Sequence, residues 1–119
     1  MTEHRYDTYG IKGLSLTEAR PVVEQALQVE LTERESSYYG GLYLRYRLTT
    51  GREVKLYSNY DGSRDMWVRE EYRPFSIVLV ISDLDAMDEI RVRLQKALDA
   101  VVLTQKTFTD SEEADDEND

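Results

Sequence analysis

A chain of 119 residues is one domain's length and supports one two-layer core. It contains no cysteine, which excludes disulfide scaffolding and thiolate chemistry, and its longest apolar run, Ile77 to Ile81, is too short for a membrane helix. The formal charge of -9 is concentrated at one end: seven of the 24 acids and none of the bases lie in residues 109–119, so the 17 remaining acids face 15 bases.

The first residues lack the apolar stretch of a signal peptide. The expectation is a soluble cytoplasmic protein in three parts. These are an N-terminal arm over residues 1–13, a single α+β domain over 14–108, and an acidic disordered tail over 109–119.

Residues 1–13 are polar, carry Tyr6, Tyr9, Gly10 and Gly13, and show no period, which reads as an arm or loop. Leu14 to Gln28 predicts the first helix, with Ala19, Val22, Val23, Ala26 and Leu27 on one apolar stripe. Thr17 and Ser15 compete as its N-cap. Pro21 favours Thr17, because a cap there leaves the proline in the first turn, where no backbone donor is needed.

Val29 to Ser37 reads as a strand whose far end is solvated, and Tyr39-Gly40-Gly41 supplies a turn. Leu42, Leu44, Tyr46 and Leu48 then alternate with Tyr43, Arg45 and Arg47. After a turn at Thr49–Arg52, Val54, Leu56 and Ser58 alternate with Lys55, Tyr57 and Asn59. Asp61 to Asp65 is a loop, and Met66 to Arg73 fits a short strand, a helical turn or a crossover held down by Trp67.

Phe75 to Ser82 is a fourth strand, apolar on both faces. Either the crossover returns it to the middle of the sheet, or its second face is covered by tyrosines, by residues 66–73 or by a partner. Ser82 is the expected N-cap of the second helix, on which Leu84, Met87, Ile90, Leu94, Ala97, Leu98 and Val101 recur at helical spacing. Val102 to Phe108 is a last strand or a trailing segment. The fold class is α+β: an antiparallel sheet of about four strands with two helices packed on one face.

Little in the chain points to catalysis. The one histidine, His4, falls in the expected arm, and no nucleophile elbow, P-loop or dinucleotide fingerprint occurs. Glu33 and Glu35 share a strand face as paired carboxylates do in glycosidases, but nothing else of such a site accompanies them. Asp61, Ser63 and Asp65 alternate like the start of a calcium loop, but the glycine offset is wrong and the closing glutamate is missing. No cofactor or metal is expected, and the protein reads as a non-enzyme.

Arg45, Arg47 and Lys55, interleaved with Tyr43 and Tyr57, have the types that bind single-stranded nucleic acid, but the acidic composition argues against it. The same residues also suit a protein contact. If Leu42, Leu44 and Leu48 point inward, then Tyr43, Arg45, Arg47, Lys55, Tyr57 and Asn59 point outward. Tyrosine and arginine are enriched at interface hot spots. The expected contact residues are Tyr38, Tyr39, Tyr43, Arg45, Tyr57, Asn59, Tyr60 and Trp67.

Four segments carry a resemblance to a known group. They are Leu16-Thr17-Glu18-Ala19-Arg20 opening a helix, Glu35-Ser36-Ser37-Tyr38-Tyr39-Gly40-Gly41-Leu42-Tyr43, Asn59 ending a strand, and Phe75 to Ile81 before the last helix. Together they resemble small bacterial immunity proteins of polymorphic toxin systems, over roughly residues 14–103. The Glu-Ser-Ser-Tyr-x-Gly-Gly-x-Tyr segment is the most distinctive part. The resemblance implies a small cytoplasmic α+β protein without enzymatic activity, which binds a cognate toxin domain and blocks it. No membrane and no direct nucleic-acid contact are expected, from the short apolar run and the acidic composition. The acidic tail is not part of the pattern. The alternative is an acidic inhibitor or regulator of a nucleic-acid-binding enzyme, working as a nucleic-acid mimic.

Overall fold

The computed structural model describes residues 2–49, 51–62 and 64–110. Of the expected acidic tail, residues 111–119 lie outside the described residues; Thr109 and Asp110 close the last strand.

Strands β1 (Thr2–Ile11), β2 (Thr32–Ser36), β3 (Gly41–Thr49) and β4 (Arg52–Ser58) are joined in the main sheet by β7 (Ile77–Ser82) and β8 (Val101–Asp110). Helices α1 (Leu16–Leu27) and α2 (Met87–Leu98) pack on one face of it, and β5 (Tyr60–Asp61) with β6 (Met66–Trp67) forms a separate small hairpin. The sheet order is β2-β3-β4-β7-β1-β8, with every neighbouring pair antiparallel. The class is α+β as expected, but the sheet has six strands rather than about four.

The two additional strands are the segments expected as an N-terminal arm and as an undecided trailing stretch. β1 pairs with β7 on one side and β8 on the other. Its alternation is hidden because its helix-facing positions are Asp7, Tyr9 and Ile11, so a polar residue sits where hydropathy looks for an apolar one. The carboxylate of Asp7 is satisfied internally by Arg5, Arg91 and Tyr9.

This placement also explains β7. It is central because β1 lies beside it, not because residues 61–74 cross over, and its outer face is covered as well. Ile77, Leu79 and Ile81 face the helices, whereas Val78 packs with Tyr43 and Tyr57 under Tyr39, Val68 and Tyr72. The undecided stretch 66–73 is therefore a lid on the outer face. It comprises β6, which pairs with β5, and a 3-10 turn at Glu70–Tyr72.

Helix α1 is capped by Ser15 rather than Thr17. Glu18 N donates to Ser15 Oγ at 3.1 Å and Ser15 N donates to Glu18 Oε1 at 2.9 Å, a reciprocal box that satisfies two donors. Pro21 then lies inside the helix on its exposed side, where it gives up one backbone bond.

Helix α2 begins at Met87, later than an N-cap at Ser82 would place it. Pairing with β1 runs on past Ser82, since Asp83 N donates to Arg5 O at 2.7 Å. Arg52 Nε binds Asp83 O at 2.9 Å, and Asp83 and Ala86, both at φ 56, turn the chain into the helix.

The main core lies between helices and sheet. Ala19, Val23 and Leu27 of α1 and Met87, Ile90 and Leu94 of α2 cover Tyr9, Ile11, Leu44, Val54, Leu56, Ile77, Leu79 and Ile81. Leu42 and Leu48 are 45% and 49% exposed; Leu42 lines a shallow pocket with Leu16, Thr17 and Arg20 of α1, and Leu48 lies at a register shift near the far end of β3. Among the described residues, no helix is long and apolar enough to cross a membrane.

Candidate protein-contact surface

At one end of the sheet the chain leaves β2 through Ser36, whose hydroxyl accepts from Tyr38 N at 3.2 Å and caps a 3-10 turn over Ser37–Tyr39. Gly40 and Gly41 follow at φ 77 and 117, conformations that side chains resist. Gly40 is required for space as well. A Cβ there would stand 3.1 Å from Asp61 Cβ and 3.2 Å from Val68 Cγ2, so the turn packs directly on the lid.

The turn divides two adjacent tyrosines. Tyr39 folds back over the sheet, its ring 4.6 Å from that of Tyr43 and 4.7 Å from that of Tyr57, with Lys55 Nζ 5.6 Å from its centroid. Tyr38 turns outward and is 68% exposed.

Asn59 fixes the lid from below. Its side chain is fully buried; Nδ2 donates to the carbonyls of Arg69 at 3.1 Å, Tyr72 at 2.9 Å and Phe75 at 3.3 Å, and Oδ1 accepts from Arg69 N at 2.8 Å. Its backbone bonds Ser76 O and Val68 N, both at 2.8 Å. In the β5–β6 hairpin Tyr60 is paired with Trp67, their rings 5.2 Å apart edge to face, and the Tyr60 hydroxyl bonds Asp65.

The result is a patch where Tyr38, Met66 and Trp67 line a shallow depression, with Tyr60 packed edge to face on Trp67 beside it. It comprises a groove of about 370 Å³ lined by Ser36, Ser37, Gly40, Asp61 and Arg64, and a smaller one of about 110 Å³ that reaches Trp67 and Val68. Asp61 is buried at the groove floor, 3.6 Å from Arg64. Large rings on a rigid support beside polar groups suit contact with another protein, because they bury area at little entropic cost.

The eight expected contact residues therefore divide. Tyr38 and Trp67 line one depression, Tyr60 packs on Trp67, and Tyr39 is half-buried against Tyr38. The expectation that Tyr43, Tyr57 and Asn59 form open surface is corrected. They point to the outer face, but the lid and Tyr39 cover it, leaving them 8%, 1% and 0% exposed. They support the patch without reaching its surface. Arg45 is half-buried on the same outer face, farther along β3. Met66, Ser37 and Arg64 were missed, and only the Met66-Trp67 pair in an otherwise polar loop marked the place.

Burial pushes the Tyr57 phenol up to about 12 from an ordinary 10.0, with the positive charge of Arg69 opposing. A phenol harder to ionise when folded contributes stability that is complete below pH 10 and lost as pH rises toward 12, about 2–3 kcal/mol in all. Urea midpoints should fall across that window in the parent and fall less in Tyr57→Phe. Identical pH profiles would count against this environment for Tyr57.

Other groups weighed for chemistry are tied to the fold. His4 sits in β1 with Nδ1 2.7 Å from Asp83 Oδ2, not in a loose arm. Glu33 and Glu35 are exposed on the helix-side face of β2, and Glu33 lies 3.7 Å from Arg20. No cluster of three His, Asp or Glu suited to a metal occurs among the described residues, and Ser63 of the calcium-like loop lies outside them. No family model and no curated protein matches the sequence.

Proposed function

We propose that this protein is a non-enzymatic protein-binding inhibitor, an immunity protein that binds and neutralises a cognate bacterial toxin domain in the cytoplasm. The observation that carries the reading is the aromatic patch. Tyr38 on the turn after β2 and Met66 on the hairpin are 68% and 51% exposed around one depression, Tyr60 is 40% exposed against Trp67, and the segment that carries Met66 is tied down by a buried asparagine. Exposed aromatic and methionine side chains grouped on a rigid support are the composition of an interface core. The Glu-Ser-Ser-Tyr-x-Gly-Gly-x-Tyr segment, which resembles the immunity group, builds the turn that presents Tyr38.

The test is co-expression with the protein encoded beside this gene, with growth as the readout. The parent should restore growth. The double variant Tyr38→Ala/Met66→Ala should remain folded and weaken binding about 100-fold or more, the scale of losing two hot-spot side chains. Protection by the double variant equal to that of the parent would reject the patch. A neighbouring protein that is harmless when expressed alone would reject the immunity reading.

A further inference from the structure

The outer face of β2, β3 and β4 carries an arrangement of charge that the fold does not need. Arg45 stands directly across from Lys55, and Arg34, two residues beyond the partner of Arg45 on β2, lies on the diagonal. Like charges opposite one another in adjacent strands repel, with side chains about 5 Å apart. Arg47 extends the strip by one more row.

Against these four cations the face sets one carboxylate, Glu53, shared between Arg47 Nε at 3.2 Å and Lys55 Nζ at 3.8 Å. Arg34 and Arg45 have no carboxylate within ion-pair distance among the described residues. The acids of β2, Glu33 and Glu35, point to the opposite side of the sheet, where Glu33 meets Arg20. A chain with a net charge of -9 thus places a local excess of three positive charges on one half-face. The strip borders the patch described above, because Lys55 lies over the Tyr39 ring.

We propose that this strip is a second contact element, which docks an acidic segment of the partner protein alongside the aromatic patch. The proposal rests on the protein-binding reading and adds the partner's chemistry: carboxylates placed to meet Arg34, Arg45 and Lys55. It inverts the nucleic-acid-mimic alternative, in which the protein would present acid to a basic partner. A nucleic acid is the weaker occupant. The neighbouring rings that could stack bases are buried or pinned, with Tyr43 8% and Tyr57 1% exposed and Tyr39 packed on both. A long polyanion also meets the negative field of the rest of the chain, whereas a short acidic segment feels mainly the strip, since charges are screened beyond about 10 Å at 0.1 M salt.

The probe is a fluorescent oligoglutamate peptide titrated with the full chain at low salt, with oligothymidylate of equal charge in parallel. Arg34→Gln/Arg45→Gln should weaken oligoglutamate binding at least tenfold. Arg93→Gln/Lys96→Gln, on the exposed side of α2, should leave it unchanged. Arg45→Gln alone should leave the melting temperature equal or higher, because it relieves the pairing with Lys55. Three results would each overturn the proposal: no oligoglutamate binding, tighter binding of oligothymidylate, or a lower melting temperature for Arg45→Gln. The co-expression assay reads protection by the partner-binding surface whatever its charge chemistry, so a protein that protects cells but ignores oligoglutamate loses this proposal and keeps the proposed function.

Discussion

Asp7→Ala is expected to cost about 3–5 kcal/mol and to leave the protein barely folded or unfolded, as read by urea denaturation. Asp7 is fully buried in β1, the strand between β7 and β8. Its carboxylate accepts a forked pair from Arg5 Nε and Nη2, both at 3.0 Å, then Arg91 Nη2 at 3.2 Å and the Tyr9 hydroxyl at 3.1 Å. Arg91 comes from α2, so this one carboxylate ties a helix to the sheet. Alanine would remove the carboxylate partner of Arg91, whose Nε is already without a partner, and one of the two carboxylates on Arg5, which keeps Asp88 at 2.6 Å. Uncompensated buried charge is among the few causes of losses this large. Asp7→Asn keeps the shape and some hydrogen bonds and should fall between parent and alanine. A loss under about 1 kcal/mol in Asp7→Ala would mean that solvent reaches the cluster more freely than its burial implies.

The second large effect is local. Asn59→Ala should destabilise the protein by about 2–3 kcal/mol, because the Arg69 amide and the Phe75 carbonyl lose their side-chain partner and the carbonyls of Arg69 and Tyr72 keep only their turn bonds to Tyr72 N and Phe75 N. The hydrogen bonds of Asn59 run to residues 68–76 and none reaches α1 or α2, so the domain should stay folded while the lid loosens. Hydrogen exchange should accelerate over residues 68–76 with little change in α1 and α2, and partner binding should weaken although Asn59 contacts no partner itself. Uniform acceleration across the chain would show instead that the lid and the main core open together.

The two effects mark where the sequence was legible. The meander of β2, β3 and β4 and the two one-sided helices were readable because their apolar residues follow the periods of strand and helix. β1 was not readable, because Asp7 and Tyr9 occupy core positions and are stabilised by Arg91 from a helix 84 residues away. No local pattern carries that information. β8 is an edge strand rich in threonine, and it too lacks a strong apolar alternation.

The same limit applies to the surface. Alternation correctly put Tyr43, Tyr57 and Asn59 on the face away from the helices. Their cover comes from residues 68–72 and Tyr39, through bonds that Asn59 makes to positions 10 to 16 residues on. An outward-pointing tyrosine in a strand is therefore as readily the floor of a second small core as a contact residue. Tyr38 and Tyr39 are adjacent, and only the geometry of the turn, with glycines at two positive-φ positions, sends one out and the other in.

The most direct test of the central claim, that the tyrosine-bearing end of the sheet meets the proposed partner, is hydrogen exchange on the complex with the protein encoded beside this gene. Protection is predicted over Ser36–Gly41 and Tyr60–Val68, with α1 and α2 unchanged. Protection confined to the helices, with the turn and the β5–β6 hairpin exchanging as in the free protein, would contradict it.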